Sequence, residues 1–285
     1  MHRTRRKIKQ LSEPLEPIFS ITRYLLEKYF LVFRTIPFFI IIIVCKVIVD
    51  MQTNGGLMPP ISFLGNIIAA SFFLFGFVLS ANITEFRHGE KLPGEIVAHL
   101  EPFIDLSFRL KEKKGKDFEK IIKSSASLSK DIRHWLYKNI STDEMYKILR
   151  DFISHFREMS INRKISEKSY DVAISERNEI RQLVVEVDMI RKTTFVSAGY
   201  VIGELFSIFI IGILLITKFE NEFEGLIVTG GLSFLFIYIL FLIHDLDNPF
   251  SYSENEKLTS RVNLIQLKKF ENRCENLLKE NSVKV

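Results

Sequence analysis

The chain has 285 residues, of which 47% are hydrophobic and 26% are charged, with 26 phenylalanines and a formal net charge of +5. The large apolar side chains exceed what one soluble core needs and fall in long runs between charged stretches, which excludes a soluble enzyme, a disulfide-rich secreted module and a disordered chain. Cys45 lies in an apolar run and Cys274 in a charged tail, so we expect no disulfide and a reducing interior.

Four stretches are apolar enough to cross a bilayer as helices, which takes about 20 residues. They are residues 30–49, 57–83, 195–217 and 225–243. They divide the chain into a basic N-terminal segment (1–29), a first pair of spans (30–83), a middle region (84–194), a second pair (195–243) and a C-terminal segment (244–285). We therefore predict an all-α, polytopic membrane protein with four transmembrane helices.

Basic residues indicate how these spans are oriented. The N-terminal segment carries seven of them against three acids, whereas residues 50–58 carry none and residues 218–224 carry one. Lys and Arg concentrate on the cytoplasmic side of membrane proteins, so we expect both termini and the middle region in the cytoplasm of a multi-pass cell-membrane protein. The basic tail then sets the topology and contacts anionic lipid, and we expect no nucleic-acid partner.

The middle region and the C-terminal segment have helical periodicity. Ser141 and Glu144 have the spacing of a capping box at a helix start. Residues 166–190 predict one long amphipathic helix, and residues 258–278 predict another. The middle region is therefore a helical cytoplasmic body.

Motifs for enzymatic chemistry are missing from the sequence. It has no GxxxxGK[ST] phosphate loop, no GxSxG elbow and no paired CxxC, so we predict no enzyme and no cofactor. The densest group of metal-ligand types is Glu85, His88 and Glu90, without a second histidine. We interpret this stretch as an interfacial turn and predict no metal.

Two charged residues inside the predicted spans have two interpretations each. Glu204 must face protein or water, since a charge in lipid is costly. Lys46 is a candidate partner for Glu204, or it extends to the outer surface. Glu204 either makes such a structural pair or lines an aqueous pathway.

The second span carries no charge and mixes small with large apolar residues. A four-residue step places Leu64, Ile68 and Phe72 on one face, with Ser71 and Phe75 beside them. Such a face suits a pore with a hydrophobic constriction. Tight packing against other helices explains the same pattern, and the periodicity taken alone favours packing.

Two segments resemble the bestrophin family of anion channels. PISFLGNIIAASFFLFGFVLSANITEFRHGEKLPG, residues 60–94, is similar to the family's pore-lining second helix and the charged stretch after it. HDLDNPFSYSENEKL, residues 244–258, is similar to the acidic segment with Pro-Phe after the last membrane helix. The order also agrees: two spans, a long helical region, two spans, then the Pro-Phe segment.

The resemblance implies a homo-oligomer of five copies in the lipid bilayer that passes inorganic anions such as chloride through a central pore. It places Ile68 and Phe72 at the constriction, with Phe75 or Phe77 as the third large residue. The residues themselves also predict an ordered cytoplasmic joint, formed by Asp245, Asp247, Asn248, Pro249 and Phe250. Pro249 ends the fourth helix, the flanking acids can cap the next one, and we expect Phe250 to be buried against a neighbouring helix. The alternative is a membrane-anchored helical scaffold or signalling partner without a permeation path.

Overall fold

The structure is a computed structural model that describes residues 29–53, 56–57, 64–111, 115–192, 197–247, 249–250, 252 and 261–283. Its regular elements in these ranges are all helices, which confirms the predicted all-α class. The helices are α1 (Phe30–Thr53), α2 (Leu64–Lys111), α3 (Gly115–Leu136), α4 (Thr142–Ile161), α5 (Glu167–Lys192), α6 (Ser197–Ile216), α7 (Glu222–Leu246) and α8 (Ile265–Val283).

Among the described residues, α1, α2 and α7 are long and apolar enough to cross a membrane. The predicted third span corresponds to α6, whose described apolar part, Val201–Ile216, is shorter. The count of four spans therefore stays a prediction. Apart from Tyr29, the predicted N-terminal segment lies outside the described residues.

The chain forms two compact units. The first, here called the span unit, comprises Met1–Ala81 and Phe195–Asp245, and the second, the polar unit, comprises Asn82–Thr194 and Leu246–Val285. The boundary between them falls inside α2. The span unit thus contains α1, α6, almost all of α7 and the first part of α2.

Phe236 of α7 lies at the centre of the span unit. It is fully buried, and its ring stacks on Phe72 at 4.8 Å between centroids and contacts Phe75 at 5.6 Å. Gly203 of α6 admits the Phe75 ring, because a Cβ atom there would lie 3.1 Å from Phe75 Cε1. A small residue on α6 therefore lets three helices meet at one aromatic cluster.

Helix α2 does not end where the sequence predicts. Glu85, His88 and Glu90, interpreted above as an interfacial turn, lie within the helix, which continues through Pro93 and Pro102. That interpretation was wrong, because burial of the side chains on one face stabilises the helix more than the two prolines destabilise it. Those side chains, at four-residue steps, are Leu92, Ile96 and Leu100, and all three are fully buried in the core of the polar unit.

The polar unit packs the rest of α2 with α3, α4, α5 and α8. Ser141 caps α4 as predicted, accepting a hydrogen bond of 3.2 Å from the Glu144 backbone N–H. The C-terminal helix begins at Ile265 rather than 258, where the Asn263 side chain accepts a hydrogen bond from the Ile265 N–H at 2.9 Å. Residues 253–260 lie outside the described part.

Helix α8 is attached to α3 by polar contacts as well as apolar ones. Arg133 donates two hydrogen bonds to the Glu271 carboxylate, at 3.1 and 2.9 Å. The Ser129 hydroxyl donates to the Leu267 carbonyl oxygen at 3.3 Å. The carboxyl-terminal helix is thus an integral part of the polar unit.

Candidate ion pathway

Three residues predicted to line a pore lie inside the span unit. Leu64, Ser71 and Phe75 are 9%, 1% and 2% exposed. The Ser71 hydroxyl donates a hydrogen bond of 2.8 Å to the Ile67 carbonyl oxygen of its own helix. These side chains pack against other helices of the same chain.

Ile68 and Phe72, placed at the constriction by the sequence, are partly buried. The Phe72 ring lies nearly parallel to the Phe236 ring, with an interplanar angle of 17°. Both residues pack against the core cluster of the span unit. Their large side chains therefore contribute to packing within the protomer.

The exposed face of α2 is a different stripe. Phe73 is 80% exposed and Phe77 is 71% exposed, which makes them the most exposed large apolar side chains of this helix. Small or polar residues lie along the same face. We call the set the outer stripe, and its members are Asn66, Ala69, Phe73, Phe77 and Ser80, all of them exposed.

The sequence contained both faces but did not distinguish them. The steps Leu64–Ile68–Phe72 and Ala69–Phe73–Phe77 have the same four-residue period. The outer stripe differs in one respect that the sequence does show, since it places small residues beside aromatic ones. Burial in the structure separates the two faces.

Lys46 lies buried in the span unit, next to the carboxyl end of α6. Its side chain is 1% exposed, and its ion-pair partner is Asp50, at 2.9 Å, rather than Glu204. Its ammonium group also donates to the carbonyl oxygens of Leu215 and Thr217, at 3.3 and 2.7 Å. It therefore neutralises the carboxyl end of α6, where the helix dipole and unsatisfied carbonyl groups favour a cation.

The loops next to Lys46 meet closely. Leu57 N–H donates to the Ile216 carbonyl oxygen at 3.0 Å. Gly56 has φ of +130°, and a Cβ atom there would lie 2.7 Å from the Lys218 backbone. We call this group of contacts the loop junction, and it comprises Lys46, Asp50, Gly56, Leu57, Leu215, Ile216, Thr217 and Lys218.

Glu204 is exposed on the surface of the span unit. The opposite charge Arg34, on α1, is also exposed, with its guanidinium carbon 4.5 Å from the centre of the Phe241 ring. Neither has an ion pair among the described residues.

The predicted joint includes Phe250, which is fully buried in the polar unit. A Cβ atom at Gly89 would lie 3.4 Å from Phe250 Cε2 and 3.4 Å from Pro249 Cγ. The Pro249 carbonyl accepts a hydrogen bond of 3.0 Å from Val262 N–H. The predicted burial of Phe250 is confirmed.

The acids of the joint lie on both sides of the end of α7. Asp245 is 2% exposed, and Asp247 follows the end of the helix at Leu246. Asn248 lies outside the described residues. Tyr252 donates to the Val262 carbonyl at 2.7 Å, and burial raises the pKa of its phenol.

Metal-ligand residues do not cluster in the described ranges, where no group of three or more His, Cys, Asp or Glu side chains could hold an ion. His88 instead pairs with Glu186 at 2.6 Å, and His99 with Glu176 at 2.8 Å. Both pairs join α2 to α5. These histidines thus connect two helices of the polar unit.

Comparison with solved structures identifies the fold. A crystal structure of a membrane protein has a TM-score of 0.75 at 13% identity, over 85% of this chain and 98% of the other. Two structures of a bacterial bestrophin homologue from Klebsiella pneumoniae have TM-scores of 0.74 and 0.71 at 13% and 14% identity. They match 86% and 84% of this chain, and 99% and 96% of their own.

The chain is thus an α-helical membrane protein. No family model matches its sequence. No curated protein matches it either. Its fold is the bestrophin fold, as the resemblance of residues 60–94 and 244–258 predicted.

Proposed function

We propose that the protein is a bestrophin-like ion channel, in which several identical subunits place the outer stripe of α2 around a central pore. Phe73 and Phe77 then form successive hydrophobic rings that make the neck of that pore. Conduction is passive, and ions lose part of their hydration at the neck. The observation that carries the proposal is the exposure of these two rings on an otherwise small-residue face, at 80% and 71%.

The composition of the outer stripe supports a pore rather than a lipid-facing surface. Exposed side chains of α1 include Ile40, Val44 and Val47, which are branched aliphatic residues suited to lipid. The outer stripe instead includes Asn66 and Ser80. Polar groups in a membrane helix favour protein or water over lipid.

The proposed neck uses a different face of α2 from the one that the sequence predicted. Ile68 and Phe72 pack on the core of their own protomer, so a ring of subunits would not expose them to ions. Phe77, one of the two alternatives for the third large residue, remains part of the neck. Phe73 replaces Phe72, because its exposed side chain points away from the core.

The selected ion and the number of subunits follow from the family resemblance. We propose anions, with chloride as the test ion, and a ring of five copies. The neck carries no fixed charge, so selectivity would depend on polar groups and helix ends beside it. The protein would not act as an enzyme.

Flux into liposomes tests the proposal. Purified oligomer is reconstituted at matched protein density, and chloride flux is compared with sodium flux. Phe73→Ala and Phe77→Ala should widen and wet the neck and raise flux several-fold. The matched control is Phe209→Ala on α6, because this ring is also exposed, at 56%, but lies away from the outer stripe.

The outcomes separate a channel from a scaffold. An intact oligomer whose flux rises with the two neck variants and not with Phe209→Ala supports the channel. A monomer or dimer without flux would favour the membrane-anchored scaffold. Sodium flux that exceeds chloride flux would still support a channel but would contradict the proposed anion selectivity.

Labelling tests the proposed topology, with both termini and residues 84–194 in the cytoplasm. Lys147 and Lys218 are both exposed and suit cysteine substitution. A membrane-impermeant maleimide added to intact cells should label Lys218→Cys and not Lys147→Cys. The reverse pattern would invert the topology.

A further inference from the structure

Arg34 and Glu204 lie at the same depth in the span unit, measured along the axis of α7. Arg34 lies against the Phe241 ring of α7, at 4.5 Å. Gly203, the neighbour of Glu204, lies beside Leu240, whose Cδ2 would be 3.5 Å from a Cβ atom on the glycine. Because Leu240 and Phe241 are consecutive residues, Arg34 and Glu204 lie beside the same turn of α7.

The loop junction indicates the same level independently. Lys46 contacts the carbonyl oxygens of Leu215 and Thr217, which matches one end of α1 to one end of α6. Arg34 precedes Lys46 by 12 positions, and Glu204 precedes Leu215 by 11. Both helices rise about 1.5 Å per residue, so these two counts, which differ by one residue, place Arg34 and Glu204 at nearly the same depth.

Each of these charged side chains carries a free-energy cost, because it lies within a predicted membrane span. Glu204 is seven positions from the start of α6, about 10 Å along the helix, and Arg34 is four positions from the start of α1. Both side chains are exposed at the protomer surface and make no ion pair within the described part of the chain. A membrane-embedded carboxylate needs protein or water beside it.

We infer that Arg34 of one subunit pairs with Glu204 of the neighbouring subunit, so that these residues define the interface between copies. The inference rests on the proposed oligomer. A guanidinium and a carboxylate form two parallel hydrogen bonds, which aligns the helices that carry them. Each subunit offers one basic and one acidic group, which suits a head-to-tail ring.

Apolar side chains beside both charges would complete this interface. Phe33 is 55% exposed on α1, and Leu205 is 60% exposed on α6. The pair would be closed off from lipid by these neighbours. A second copy of this chain is therefore the partner that the charges and the apolar surface fit.

Cross-linking between tagged copies tests the inference. In a Cys45→Ala, Cys274→Ala background, one tagged copy carries Arg34→Cys and a second, differently tagged copy carries Glu204→Cys. The two full-length chains are coexpressed and treated with a short bismaleimide. We expect a cross-linked species that carries both tags. The control pair is Met51→Cys with Glu204→Cys: Met51 is 80% exposed but lies 17 residues from Arg34, about 25 Å along α1, so this pair should cross-link at least fivefold less.

Charge exchange gives a second readout. Arg34→Glu and Glu204→Arg should each reduce the oligomer measured by native mass spectrometry, and the double exchange should restore it. An intact wild-type oligomer with no product between tagged copies, or single variants that assemble normally, would overturn the pairing and leave the channel proposal standing. A wild-type protein that is monomeric throughout would overturn the proposed function itself.

Discussion

The ammonium group of Lys46 donates a hydrogen bond of 2.7 Å to the carbonyl oxygen of Thr217, immediately after α6 ends. The same group pairs with Asp50, whose side chain is 10% exposed. One buried cation therefore satisfies a carboxylate and two carbonyl groups that would otherwise lack partners. It joins the carboxyl ends of α1 and α6 within the span unit.

Replacing Lys46 should destabilise the span unit. Lys46→Met keeps the length of the side chain but leaves the partly buried Asp50 carboxylate without its cation, which costs up to about 3–5 kcal/mol. The apparent melting temperature in detergent should fall by several degrees. Lys218→Met is the control, because that side chain is exposed, and it should have little effect. Equal melting temperatures for the two variants would contradict this role of Lys46.

Gly56→Ala should weaken the loop junction. The residue has φ of +130°, and the new Cβ would lie 2.7 Å from the Lys218 backbone. A side chain in such a conformation costs about 1–3 kcal/mol. Gly65→Ala provides the control, since nothing lies within 4 Å of a Cβ there and helical alanine is favoured over glycine. Thermal unfolding should therefore shift in opposite directions, and a shift in the same direction would refute the strain argument.

The sequence predicted α1 and α7 well, because a bilayer-spanning helix requires a long apolar run whatever its neighbours are. It did not predict which face of α2 is buried. That depends on Phe236, far along the chain, whose ring selects Phe72 and Phe75 instead of Phe73. Periodicity shows which residues share a face of a helix, but not which part of the protein packs on that face.

The length of α2 illustrates a second limit. Pro93 and the charged residues before it are local signals for a helix end. The helix continues because Leu92 and Ile96 are buried in the polar unit. Likewise, the partner of Lys46 depended on where the chain returns at Thr217, which spacing along the sequence does not reveal.

Phe250→Ala should destabilise the polar unit. The ring is fully buried against α2 beside Gly89, and removing a buried phenylalanine ring costs about 3–5 kcal/mol. Chemical unfolding followed by the fluorescence of Trp135 should show an earlier transition. Ile161→Ala is the control, because that side chain is 70% exposed. If both variants unfold at the same denaturant concentration, the joint does not stabilise the unit.

Cys274 should be far less reactive than an ordinary thiol. Its side chain is fully buried in the polar unit, and burial raises the pKa of the thiol to about 12, so the reactive thiolate is scarce at neutral pH. In the Cys45→Ala variant, where Cys274 is the remaining thiol, a maleimide at pH 8 should modify the folded protein slowly. Guanidinium unfolding should return the thiol to its usual pKa and accelerate labelling at least a hundredfold. Rapid labelling of the folded variant would mean that α8 detaches from α3.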